Sequence, residues 1–266
     1  MKFPLTIRLA ALAGAMVTLA ACNGGGLNNI VAAGRAHVRL IDASPNQPGP
    51  LSLVVASTVI NSNITAATPV GVYADVGSGP QTFLIQPSSV PAVAKNVAAS
   101  TFYTVALIGE PGQPNFGEVI FQDTNSLQSP STVRYKVNDA APVAGTVDVY
   151  VYQGATLPPP TVPGLTAGQD SGSIVNPPGN AYIPTLGSPT LLPSGAYNIT
   201  VTQAGNASNV LFTASATLNV GFSYSFTLED TAAPTPAAPL RVILAIDQPS
   251  QGTNQASLMS LVNHRI

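Results

Sequence analysis

The sequence predicts an all-β protein built as two small β-sandwiches in tandem, and three observations carry that expectation. Apolar side chains recur at every second position. Val147, Val149 and Val151 alternate with Asp148, Tyr150 and Tyr152, Leu51, Leu53 and Val55 form a second such row, and Phe83 and Ile85 alternate with Leu84 and Gln86. A period of two is that of a strand with one covered face. Twenty-five prolines and 23 glycines punctuate the chain, with breaks roughly every eight to twelve residues, the spacing of a sandwich or barrel and not of parallel βαβ units. Finally, the chain repeats itself in order.

The repeat is legible strand by strand. Ala36–Pro45 recurs as Thr132–Pro142, with a two-residue insertion between Val38/Val133 and Pro45/Pro142. Leu51–Val55 is answered by Val147–Val151, Gly79–Ile85 by Gly195–Val201, Tyr103–Leu107 by Tyr224–Leu228, and Val119–Asp123 by Ile243–Asp247. The offsets are 95 at Val38/Val133, 96 at Leu53/Val149, 116 at Phe83/Ile199, 121 at Tyr103/Tyr224 and 124 at Val119/Ile243. Chance matches scatter, whereas a duplication with insertions gives offsets that only grow. Two modules follow, residues 35–128 and 129–266, joined near Leu127–Pro130 and each expected to fold alone. The largest jump places an insertion at residues 157–189 of the second module. It holds eight prolines, which lack the N–H of a ladder, so it reads as a long extended surface loop and not as a central strand. A third echo, Ala256–Asn263, resembles an opening strand and is expected to dock as an edge strand of the second module.

The N-terminus is an export signal. Lys2 and Arg8 precede an uncharged run from Leu9 to Leu19, followed by small residues. That run is too short to cross a ~30 Å hydrocarbon core as a helix. Cys22 is the only cysteine in the 266 residues. It closes Leu19-Ala20-Ala21-Cys22, which resembles the lipobox of bacterial lipoproteins. The resemblance implies cleavage after residue 21, lipidation of Cys22 and a flexible tether over residues 22–34. Asn23 stands where an aspartate would retain a lipoprotein in the inner membrane, so the expected location is the outer membrane of the cell envelope.

Composition narrows the function. Without residues 1–21, seven basic residues face eleven acidic ones, a net charge of −4. That balance argues against nucleic acid as a partner and leaves the membrane contact to the lipid anchor. Charged residues are 8% of the chain and hydrophobic ones 45%, so the polar surface is built from Thr, Ser, Asn and Gln, which is not the disorder signature. With one cysteine there is no disulfide.

Val38–Pro45, Val147–Val151, Pro193–Tyr197 and Phe222–Phe226 resemble the domain-of-unknown-function family numbered 4397, repeated Ig-like sandwiches of exported bacterial proteins. The resemblance implies two tandem Ig-like antiparallel β-sandwich domains and assigns no site residue. Module one departs from it at Leu51-Ser52-Leu53, and module two lacks the Ala-Ser-Pro.

No motif for enzyme chemistry emerges. His37 and His264 have no further His or Cys at metal-ligand spacing, so no metal or cofactor is expected. Gly168–Gly172 imitates a protease serine loop without the rest of a triad. Asp123-Thr124-Asn125 hints at a calcium loop without its glycine and terminal glutamate. Asp139 and Asp148 are the nearest pair of acids on separate strands, and nothing makes them catalytic. Asp148, Tyr150 and Tyr152 are expected on the outward face of one strand, a candidate row for stacking on a sugar or a partner side chain. Two readings stand: a lipid-anchored, non-enzymatic binding, adhesion or structural module whose partner is an envelope protein or glycan, and a carbohydrate-binding or carbohydrate-active accessory protein.

Overall fold

The computed structural model describes residues 34–123, 133–171, 174–175, 194–235, 238–247 and 259–261. The expected export signal, Cys22, residues 22–33 of the expected tether, the joint at 127–130, His264 and residues 172–173 and 176–189 of the insertion lie outside the described residues.

Eight strands make the first module: β1 (Arg35–Ala43), β2 (Leu51–Val55), β3 (Thr58–Ile64), β4 (Ala74–Gly77), β5 (Gly79–Gln86), β6 (Val93–Val97), β7 (Phe102–Ile108) and β8 (Gly117–Asp123). They form two sheets, β4-β1-β7-β8 and β3-β2-β5-β6. The second half holds β9 (Arg134–Ala140), β10 (Val147–Tyr152), β11 (Val162–Leu165), β12 (Ile174–Val175), β13 (Gly195–Gln203), β14 (Asn206–Leu218), β15 (Ser223–Thr235), β16 (Ala238–Ile246) and β17 (Met259–Leu261). Its sheets run β12-β9-β15-β16-β17 and β11-β10-β13-β14. Apart from β17, the order is that of the first half, strand for strand.

The alternation fills each sandwich as expected. Leu51, Leu53, Phe83 and Ile85 meet Val38, Leu40, Val105 and Leu107 in the first core. Val147, Val149, Val151, Tyr197 and Ile199 meet Tyr135, Val137, Phe226 and Leu228 in the second. Each such side chain is worth roughly 1.5–3 kcal/mol when fully buried. Turn chemistry fixes the hairpins. Ala56 and Ser57 both take positive φ, 47° and 67°, in the two-residue turn from β2 to β3, and Gly205, at 73°, serves the turn from β13 to β14. Positive φ at both central residues makes the β2–β3 turn a primed one, which follows the twist of the strands it joins.

The structure refines three expectations. The sandwiches are antiparallel except for one parallel pair each, β1 with β7 and β9 with β15, because the chain between them crosses to the other sheet and back. The insertion is not loop throughout. Its Val162–Leu165 pairs with β10 as an edge strand, and Ile174–Val175 pairs with β9. Pro163 is tolerated there because an edge strand leaves one row of backbone groups unpaired. The register of the repeat also shifts. Val38 faces Tyr103 and Tyr135 faces Tyr224, so Arg39 corresponds to Lys136 and not to Arg134.

The C-terminal echo forms β17, which lies antiparallel on β16 with Leu261 opposite Val242 and Met259 opposite Leu244.

Candidate functional site

In the β4-β1-β7-β8 and β12-β9-β15-β16 sheets, positions that alternate with the core residues point away from their own sandwich, yet many of them are buried. On β1 they are Arg39, Ile41 and Ala43. On β7 and β8 they include Thr104, Ala106, Phe121 and Asp123, and on β9, β15 and β16 they include Lys136, Ala140, Ser225, Ile243 and Ala245, with Asp247 directly after β16. One apolar cluster joins Ile41, Ala43, Val70, Ala106 and Phe121 of the first module to Ala140, Ile243 and Ala245 of the second. The modules therefore pack sheet against sheet.

Four charges are sealed into this seam, exchanged between the halves. Arg39 Nη2 lies 2.6 Å from Asp247 Oδ1, while Lys136 Nζ lies 2.9 Å from Asp123 Oδ1. The parallel registers make these pairs equivalent. Arg39 faces Thr104 and Lys136 faces Ser225 in their own sheets, and each carboxylate ends the neighbouring strand. Each module thus offers a cation from its first strand to a carboxylate at the last strand of the other. Hydroxyls link the pairs. Arg39 Nε donates to Thr104 Oγ1 at 2.9 Å, and Thr104 donates to Asp123 Oδ2 at 2.6 Å. Arg39 Nη2 also donates to Ser225 Oγ at 2.9 Å, which donates to Asp247 Oδ1 at 3.1 Å. Tyr73 donates to Asp123 Oδ2 at 2.9 Å, with the Arg39 guanidinium 4.5 Å above its ring.

The electrostatics follow from this wiring. Burial alone would raise the Asp123 carboxyl, but Lys136 and then Arg39 outweigh it and hold the group below its ordinary range. Burial raises Asp247, with Arg39 opposing and Asp123 reinforcing. Burial also opposes the charge of Arg39, and Asp247, Tyr73 and Asp123 together more than restore it.

The residues singled out by sequence fall elsewhere. Val147, Val149 and Val151 point inward, but the row opposite them is not open. Asp148 is 7% exposed and Tyr150 3%, while Tyr152 is half-buried. Asp148 accepts the N–H groups of Gly164 and Gly205, each at 2.8 Å, so it pins β11 and the β13–β14 turn to β10 instead of facing a ligand. Asp139 caps its own strand end by accepting from Ala141 N at 2.9 Å. Ser171 accepts Val137 N at 2.9 Å, a structural hydroxyl. His37 pairs with Asp75 at 2.7 Å and stacks on Phe102 at 4.3 Å. Asp123 belongs to the seam, and Thr124 and Asn125 lie outside the described residues. Among the described residues, no three of His, Cys, Asp and Glu gather as ligands for a metal ion.

Sequence reasoning passed over Arg39, Lys136 and Asp247. A signal for them existed: the last matched strands both end in aspartate, and charges are scarce in this chain.

Comparison with known proteins gives a family model that matches part of the chain. Residues 36–150 match the model of the Domain of unknown function DUF4397. The first module is DUF4397-like. The match continues past β8 through β9 and into β10, so it takes in Lys136 together with Arg39 and Asp123. No curated protein matches the chain.

Proposed function

We propose that this DUF4397-like chain is a lipid-anchored cell-envelope protein whose two modules act as one stiff, non-enzymatic binding, adhesion or structural unit. The seam supports this reading. Arg39, Lys136, Asp123 and Asp247, the charged groups best placed for chemistry, are committed to joining the modules. A reciprocal clamp suits a protein that holds its surfaces at a fixed spacing. Anchoring rests on Leu19-Ala20-Ala21-Cys22, since one acyl chain holds only marginally whereas two or three anchor stably, at ~0.8 kcal/mol per buried methylene. Asn23 after the cysteine favours the outer membrane, and the partner class is an envelope protein or glycan.

Metabolic labelling with a clickable palmitate should mark the wild type and leave Cys22→Ala unlabelled. Equal labelling of both would end the reading, and density-gradient separation of the two membranes tests the location.

A further inference from the structure

We propose that Lys136 and Asp123 form an intramolecular isopeptide bond that ties the two modules covalently. The two side chains come from different modules and are 4% and 0% exposed. Although Nζ lies 2.9 Å from Asp123 Oδ1, that oxygen accepts no aligned hydrogen bond. The aligned bond of the amine goes instead to the Gln122 carbonyl, at 2.8 Å. Nucleophile and electrophile are therefore held in contact, away from water, without the geometry that would settle them as a hydrogen-bonded pair. Phe121 supplies an apolar wall, its ring 5.7 Å from Nζ. A second carboxylate, Asp170, stands 3.9 Å from Nζ.

The chemistry balances with water as the only product. The pair rests as an ion pair, and the reaction starts from the tautomer in which a proton has passed from Nζ to Oδ1, a neutral amine beside a neutral acid. The amine lone pair then attacks Asp123 Cγ, and the carbonyl electrons move to Oδ2. The hydroxyls of Thr104 and Tyr73 already point at that oxygen, at 2.6 and 2.9 Å, and form an oxyanion hole. Asp170 takes the second proton from nitrogen and returns it to Oδ1, which leaves as water while the carbonyl re-forms at Oδ2. No oxidant is involved, which suits an exported chain with a single cysteine. Fixed contact between the reacting groups supplies the rate through proximity. The equivalent pair Arg39–Asp247 is the internal control, because a guanidinium stays protonated and does not acylate.

Peptide mapping of the purified full chain by mass spectrometry tests this. The expected result is a branched tryptic species that contains Lys136 and Asp123, is lighter by one water than its two linear peptides, and shows no cleavage after Lys136. Lys136→Arg should keep the ion pair and yield linear peptides only, and Asp170→Asn should lower the branched fraction. If the wild type gives both residues in linear peptides of full mass, the pair is an ion pair only and the proposal fails. That wild-type map decides the question even if a variant does not fold.

Discussion

At the Asp123 end of the seam each buried carboxylate faces a cation, whereas around Asp42 four carboxyl groups crowd together, and Arg241, paired with Glu229, acts on Glu229 and Asp42 alone among them. Burial pushes the Asp42 carboxyl up to about 6 against the pull of Ser44 N and Arg241. Burial raises Asp139 to about 7, with Asp230 adding to it, and raises Glu229 to about 7 despite Arg241. Asp230 is raised by burial while accepting Val143 N and Ala144 N at 3.0 and 3.1 Å. A carboxyl group can thus be kept inside by a cation or by a proton. One seam uses both means, and its two ends should respond to different perturbations.

The largest effect is expected at the cation-matched end. Asp247→Ala leaves the Arg39 guanidinium buried without its carboxylate and should cost about 3–5 kcal/mol in denaturant unfolding, the range for a broken buried pair. Replacing both partners with apolar residues, Arg39→Met with Asp247→Leu, should cost far less, since no charge is then stranded. Equal losses for the single and double variants would show that the seam draws its strength from its apolar contacts alone.

A smaller effect should follow pH, from the acid-rich end. In the unfolded chain these carboxyls titrate near ~4, while the folded chain holds Asp42, Asp139 and Glu229 near 6–7. The folded state therefore binds more protons between those values. This contribution to stability is fully present below pH ~4 and is lost as pH rises through 6–7. At ~1.4 kcal/mol per unit, discounted because neighbouring carboxyls titrate as a coupled group, the three amount to a few kcal/mol. The melting temperature should fall between pH 5 and pH 9, and Glu229→Gln should flatten the curve. A melting temperature that climbs over this interval would reverse the contrast between the two ends.

The smallest effect concerns the outer edges of the paired sheets. In the second module β17 covers β16. In the first, the Ile120 and Gln122 carbonyls of β8 accept from Lys95 Nζ at 3.0 Å and Lys136 Nζ at 2.8 Å, a lysine guard in place of a strand. Ending the chain after Gln255 should remove about 1–2 kcal/mol, on the scale of one apolar side chain's burial. It should also raise hydrogen exchange along β16 and leave β8 unchanged. Equal exchange of β16 with and without the tail would show that its cover contributes nothing.

Both sandwiches were legible in the sequence because each module's own core imposes the period-two rows, such as Val147, Val149 and Val151, and the ordered offsets carry the strand order from one half to the other. The edge strand β11 was not legible, since Pro163 reads as loop unless an edge is known to be free for it. Nor was the cover over Tyr150, which an alternating strand places opposite the core without saying what lies above it.

What the sequence determined by itself is thus which side chains enter each sandwich and that the chain holds two of them. Only the tertiary structure decided what the opposite faces do. Alternation specifies that Arg39 and Ile41 point away from their own core, but whether away means solvent depends on a partner that lies 186 residues distant at Ser225. A buried charge is tolerable only where a countercharge meets it, and that meeting is a property of the two faces together, written in neither strand alone.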